Sequence, residues 1–309
     1  MRRYIILRLL WMFFILIFIM IVLFYATQLT HYTRWVFPRV DFLTRLDMVN
    51  NDFVEFVRRL VGEWYWGTDP HRGESNWDLF KLRAPITLRI NIYAFVVSLI
   101  IGITLGIISA VRKNRPSDYI INSLILVFVS IPSFLWVFAL MVLIGFRAGW
   151  VPSIFPFHSW ATPQERMLGL VIPTIALSGF PIAVFAQLMR SELTETLTED
   201  YTLLARTKGL NRRQVLFRHT MRNSMLPVIE KIPQTFMFVM FNSFLVEVIY
   251  NVPGMARWFF RSAFISEFTA VSGFRLQLYP VLIISTFYAA LALITIFLGE
   301  LLYGIIDPR

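Results

Sequence analysis

Cysteine is absent from the 309 residues, which excludes disulfides, thiolate metal sites and cysteine nucleophiles. Charge is scarce: Asp, Glu, Lys and Arg make up 16% of the chain, where a soluble domain carries about 25%. Gly-Lys never occurs, so there is no phosphate-cradling loop of the Walker type and no nucleotide site built on one. A Gly-x-Ser-x-Gly nucleophile elbow is missing as well. His31, His71, His158 and His219 all lie outside the apolar cores, which argues against haem ligation and against an intramembrane histidine-dependent hydrolase. No apolar run carries a regular arginine series, as a voltage sensor would. No internal repeat is detectable, which argues against a self-contained secondary transporter.

What the chain has is apolar mass. Hydrophobic residues reach 57% and the mean hydropathy is +0.64. That composition excludes a soluble enzyme, a disordered chain and a secreted disulfide scaffold, and points to a multispanning membrane protein. The net charge of +10 then suits anionic lipid headgroups at helix ends, with no call for nucleic acid.

A transmembrane helix needs about 20 mostly apolar residues. Runs free of Asp, Glu, Lys and Arg cover 9–33, 90–111, 119–146, 167–189 and 276–299, and 232–256 is broken only by Glu247. The expected fold is therefore an all-α polytopic bundle of six transmembrane helices. Arg2, Arg3 and Arg8 precede the first run, but it is too long for a signal-peptide core and no small-x-small cleavage site follows, so it reads as a retained anchor. Six spans put both termini on one side. Basic density at Arg2, Arg3 and Arg8 and at Arg112, Lys113 and Arg115 places that side in the cytoplasm.

The organisation expected is an N-terminal anchor over 1–30, an extracytoplasmic segment over 31–84, and a transmembrane domain over 85–306 with one long cytoplasmic loop at 191–227. The segment 31–84 holds eight basic and eight acidic residues, with Trp35, Trp64, Trp66 and Trp77. Interfacial anchoring by aromatics and a small lid or docking surface both fit it.

Thr198, followed by Glu199 and Asp200, reads as a helix start with a capping hydroxyl and acids in the first turn. Tyr201, Leu204, Ala205 and Lys208 then share a face. Gly209 suits a left-handed C-terminal cap, and Asn211 with Gln214 resembles a capping box. Val215, Leu216 and Arg218 continue a basic amphipathic helix towards Pro227, so the loop reads as two short helices broken at Gly209. A helix lying on headgroups and a knob for a cytoplasmic partner, with Ala205 and Gly209 permitting close approach, are both open from the residues alone.

Polar groups inside the runs must find partners or line a wet cavity. Ser130, Ser133, Ser178, Gln187, Gln234, Asn242 and Ser243 are such groups, readable as helix–helix glue or as pathway lining. Pro132, Pro173, Pro181 and Pro233 are expected to kink helices. Glu247 lies about 24 Å beyond Lys231 along a helix, near the outer interface. There it is a gate candidate or a structural acid meeting water.

ARTKGL (205–210) followed by RRQVLFRHTMRNSMLPV resembles the coupling-loop signature of binding-protein-dependent ABC importer permeases, in particular the B-type permease subunit of oligopeptide, dipeptide and nickel systems. APITLRINIYAFVVSLIIGITLGIISAVRKNRPSD, SIPSFLWVFAL, VEVIYNVPGMARWFF and the ending LLYGIIDPR match the same family in order. Some positions depart from the pattern. Leu203 and Leu204 stand where the general loop has Glu and Ala, Pro253-Gly254-Met255-Ala256 replaces Pro-Gly-Leu-Gly, and Glu267-Phe268-Thr269 replaces Asp-aromatic-Pro.

The resemblance implies a type I ABC importer permease fold and the non-catalytic half of a peptide pathway. Its expected partners are a second homologous permease subunit, two cytoplasmic ATPases that hold ATP and magnesium, and an extracytoplasmic substrate-binding protein. No cofactor or metal is expected on this chain. The resemblance makes Tyr201, Leu204, Ala205, Arg206, Lys208, Gly209 and Leu210 the expected ATPase-coupling residues. Ser130, Ser133, Gln187, Gln234, Asn242, Glu247, Pro253 and Gly254 are the pathway or gate candidates. Nickel or its chelates and oligosaccharides are the rival substrates within the family. A six-span channel or structural subunit without an ATPase is the rival outside it.

Overall fold

The computed structural model describes residues 2–31, 40–69, 73–157, 161–265 and 277–306. Regular structure among them is helical, apart from one isolated bridge between Thr68 and Ser75. Trp35, His71, His158 and Glu267-Phe268-Thr269 lie outside the described residues.

Five stretches are long and apolar enough to cross a membrane: Tyr4–Thr30, Asn76–Val111, Pro163–Thr196, Arg212–Ile249 and Leu278–Leu302. The sixth expected span falls on a bent pair of helices, which is long and apolar enough to cross a membrane if both count as one span. Helices α4 (Pro116–Ser130) and α5 (Ser133–Leu140) meet at a 100° bend around Ile131 and Pro132, and α5 runs on as a π-helical stretch, Met141–Arg147. Pro132 sits as the N-cap of α5, at the break. Pro85, Pro181, Pro227 and Pro233, by contrast, lie inside continuous helices.

The chain divides into two compact units. The first combines Met1–Thr87 with Pro253–Ile294. In it, α1 (Arg2–His31) is joined by α2 (Phe42–Glu63), a helix not foreseen because both signs of charge interrupt its sequence. Its inward face is Val49, Phe56 and Leu60, spaced seven and four apart. Phe24 of α1 stacks on Phe56 and meets Phe53 edge-on, and the Tyr25 hydroxyl donates to Asn50 Oδ1 at 2.7 Å. Asp41 caps α2, and Trp64 closes it in the left-handed region at φ 52°. Beyond it, Trp64, Trp66, Trp77 and Phe80 form a run of ring contacts. This segment also packs on α12 (Leu278–Ile306), through Phe56 and Tyr65 on Tyr279 and Phe80 on Phe287.

The second unit is Leu88–Val252 with Thr295–Arg309. Its centre is α7 (Val171–Thr196), where Phe185, Met189 and Leu193 are buried with Ala110 and Val228. Gly102 and Gly106, one turn apart on α3 (Asn76–Val111), face α7. A Cβ on either would come within 2.8 Å of the Ile182 carbonyl or 2.7 Å of the Ala186 carbonyl. Small residues one turn apart let two helix backbones approach in a bilayer. On another side of α7, Ile121 and Ile125 of α4 pack against Ala183 and Ala186.

Candidate functional site

The segment 197–211 is shorter than the loop 191–227 expected from sequence, because helices extend into it from both sides. α7 runs to Thr196, and the next long helix begins at Arg212 and continues without a break to Ile249. It comprises α9 (Arg212–Gln214), a π-helical stretch Val215–Thr220, and α10 (Met221–Ile249). The second helix of the loop is thus the start of a spanning helix.

Between them lies α8 (Asp200–Thr207). Its N-cap is Glu199 and not Thr198, with no side-chain cap. The Thr198 hydroxyl donates back to the Glu195 carbonyl at 2.7 Å, so it closes α7 instead. The local chemistry at the other end is as expected. Gly209 takes φ +81°, and Asn211 with Gln214 forms a reciprocal capping box.

The face of α8 differs from expectation. Thr202 and Ala205 point inward, Ala205 at 4% exposure, where α8 packs on Val215–Thr220. The close approach foreseen for Ala205 is therefore made to its own chain. Tyr201, Leu203, Leu204, Arg206 and Lys208 are exposed, and Leu210 is half-buried. Two adjacent leucines on an otherwise polar turn form an apolar surface, and Leu203 was not among the expected residues.

Three bonds fix this segment. The Thr202 hydroxyl donates to the Thr196 carbonyl on α7 at 2.8 Å. Arg212 Nη2 donates to the Val111 carbonyl at the end of α3 at 3.2 Å. Asn223 Nδ2 on α10 donates to the Tyr201 hydroxyl at 3.0 Å.

A cleft of about 530 Å³ lies between α7 and α10, lined by Gln187, Leu188 and Ser191 on one side and Pro227, Glu230, Lys231 and Gln234 on the other. It brings together Gln187 and Gln234, both pathway candidates, and adds Glu230 and Lys231. The Lys231 ammonium donates to Gln234 Oε1 at 2.8 Å.

The other candidates are scattered. Ser130 is exposed, and its hydroxyl is taken by the Leu126 carbonyl. Ser178 and Ser243 likewise bond to their own helices, as serines in helices often do. At the bend, the Ser133 hydroxyl reaches Asn242 Oδ1 at 3.4 Å, a weak contact 109 residues apart in sequence. Glu247 is 0% exposed, so its side chain is enclosed by this chain and does not meet water as expected. Its backbone carbonyl accepts from Val252 at 2.8 Å, in the turn where α10 ends. Pro253 and Gly254 are buried and begin α11 (Met255–Phe260), whose first amide donates to the Thr87 hydroxyl at 2.8 Å. They lie in the first compact unit and Glu247 in the second.

One buried group escaped the sequence entirely. Asp118, 2% exposed, receives Arg190 Nε on Oδ1 at 2.8 Å and Nη2 on Oδ2 at 2.9 Å. The Ser109 hydroxyl, Asn122 Nδ2 and the Asn114 amide also donate to it. Seventy-two residues separate the ion pair, and no spacing rule links them.

Residues 102–309 match the family model described as binding-protein-dependent transport system inner membrane component. The chain is 33% identical over 233 residues to the dipeptide transport system permease protein DppB of Bacillus subtilis, covering 75% of this chain and 70% of that protein. It is 25% identical to the oligopeptide transport system permease protein OppB of Salmonella typhimurium, covering 85% and 81%. Among solved structures it superposes on a chain of the MetNI methionine ABC transporter in inward-facing form with TM-score 0.60. The identity there is 14%, over 74% of this chain and 96% of that one. At that identity the likeness is one of fold, and it is the type I ABC importer permease fold. A helical membrane bundle with a one-helix loop at 197–211, matched by a family model over two thirds of its length, belongs to the inner membrane components of binding-protein-dependent transport systems.

Proposed function

We propose that this chain is one of two permease subunits of an ATP-driven importer of peptides. The names of its relatives, dipeptide and oligopeptide permeases, support the substrate class. The exposed pair Leu203–Leu204 carries the coupling role: it is an apolar surface on a short helix tied to α7 and α10, with no covering element among the described residues. A cytoplasmic ATPase subunit supplies that cover, one for each permease subunit. Tyr201, Arg206, Lys208 and Gly209 flank the contact. ATP and magnesium sit on the ATPases, and this chain is not catalytic. Segment 197–211 and both termini face the cytoplasm, and a binding protein delivers substrate from the other side. The cleft holding Gln187, Glu230, Lys231 and Gln234 lies on the cytoplasmic half of the pathway.

Purification of the tagged chain from its native membrane tests this. Two ATPase chains and a second, homologous permease should come with it, and vesicles holding the complex and its binding protein should take up di- or oligopeptides on addition of ATP. Recovery of the chain without any ATPase would support the channel or structural reading. Uptake of nickel chelates or oligosaccharides in place of peptides would keep the class and change the cargo.

A further inference from the structure

The buried ion pair gathers donors from three helices and a turn: Asp118 accepts twice from Arg190, and from the Ser109 hydroxyl, Asn122 Nδ2 and the Asn114 amide. Asp118 opens α4, Ser109 belongs to the last turns of α3, and Arg190 sits on α7. The Arg190 Nε also donates to the Ser109 hydroxyl, at 3.1 Å, so the three helices share one network. The Asn114 amide, in the turn joining α3 to α4 at φ +62°, aims at the same carboxylate at 3.0 Å. Two-point guanidinium–carboxylate contact fixes direction as well as distance. A buried pair of this kind is weak evidence for stability, since two apolar residues of equal volume would often do as well. Its geometry offers orientation instead.

The position is informative. Segment 197–211 is bonded to the end of α7 through Thr196, and Arg212, the residue that follows it, is bonded to the end of α3 through Val111. The network lies just beyond those attachment points, and it adds α4. At its far end α4 stops at the 100° bend, where Ser133 meets Asn242. We propose that Asp118 and Arg190 are positioning residues that lock α3, α4 and α7 into one rigid block, so that α4 acts as the lever between segment 197–211 and the bend at Ile131–Pro132. This rests on the reading of segment 197–211 as the ATPase contact. Without the clasp, α3 and α7 would still follow the segment, but α4 would rest on apolar contacts such as those of Ile121, Ile125 and Phe128, which fix no direction.

The test uses the intact complex in lipid vesicles, with Asp118→Asn, Arg190→Gln and Arg190→Lys. Substrate moved per ATP hydrolysed is the measured quantity. Asp118→Asn and Arg190→Gln should keep the ATPases bound and hydrolysing while transport per ATP falls by about fivefold or more, the scale on which coupling residues act. Arg190→Lys keeps the charge without the two-point grip and should fall between. A second readout is the distance between spin labels at Leu126→Cys on α4 and Ile175→Cys on α7, both exposed. It should be the same with and without ATP in the parent and differ between those states in Asp118→Asn. Unchanged transport per ATP in both neutral variants, or a parent distance that already changes with ATP, overturns the proposal. Loss of complex assembly together with transport, with a label distance as sharp as the parent's, assigns the pair a merely structural role and overturns it too. If the parent chain binds no ATPase, the reading of the segment fails and the lever with it. The rigid block would still be decided by whether Asp118→Asn broadens the label distance.

Discussion

Gly299 on α12 lies against the ring of Pro233 on α10, so near that a Cβ on Gly299 would overlap the proline Cγ. Both residues are in the second compact unit. Gly299→Ala should lower the thermal stability of the purified protein by about 1–3 kcal/mol, the usual cost of overpacking. Pro233→Ala removes Cγ and Cδ, the two nearest atoms, and keeps the Cβ contact at 3.4 Å. The double variant should then recover most of the loss. A Gly299→Ala protein that melts like the parent would show that α12 can move aside freely.

Leu204 and Ala205 are neighbours on α8 with opposite exposures, 56% and 4%, and arginine at each should fail differently. Leu204→Arg should leave the chain folded and release the ATPases on purification. Ala205→Arg should prise α8 off Val215–Thr220, with an overpacking cost of about 1–3 kcal/mol, and open segment 197–211 to proteolysis. Limited proteolysis beside co-purification separates the two. If Leu204→Arg retains the ATPases at full yield, the apolar surface is not the contact.

Gly209 has open space where a Cβ would go, but a φ of +81°. Its replacement is a question of backbone strain alone. Gly209→Val should cost about 1–2 kcal/mol in the left-handed region, and Gly209→Asn distinctly less. The expected effect is faster cleavage of segment 197–211 for Val than for Asn, with insertion unchanged. Equal cleavage rates would mean that the turn is not held in this conformation.

The absence of cysteine makes sidedness measurable on a silent background. Single cysteines at Lys113 and Arg213, both exposed, should resist an impermeant thiol reagent in intact cells. One at Val61, 81% exposed on α2, should react. Labelling at Arg213→Cys comparable to that at Val61→Cys would reverse the orientation and remove the ATPase contact with it.

Long uncharged runs were legible because a bilayer demands them, and α1, α7 and α12 follow them closely, while α3 ends with its run at Val111 but starts well before it, at Asn76. Gly209 and the Asn211–Gln214 box were legible because their chemistry is completed within four residues. Thr198 was misjudged for a related reason: a hydroxyl there can close the helix before as well as open the one after, and Glu195 decides it. The inward turn of Ala205 depends on Val215–Thr220, which a face drawn on α8 alone does not contain. Helix α2 was hidden by its charges, although Val49, Phe56 and Leu60 carry a helical spacing. Asp118 and Arg190 gave no signal at all, since each reads as an ordinary basic or acidic residue at a membrane edge. Gln187 and Gln234 were singled out separately, and only the pairing of α7 with α10 puts them in one cleft.

The broken span has a bearing on what can surround this chain. Pro116–Ser130 is 15 residues long, about 22 Å of helix, which falls short of the roughly 30 Å of hydrocarbon it would have to cross. Its ladder ends with the Ile131 amide on the Val127 carbonyl. A helix end leaves about four carbonyls without an intrahelical donor, and where such an end lies within a bilayer, acyl chains offer no donor in exchange. Lipid is for that reason a poor neighbour along residues 128–131. The strip can be bordered by water or by another polypeptide, so this stretch of α4 and its bend is a wettable seam on an otherwise greasy helix.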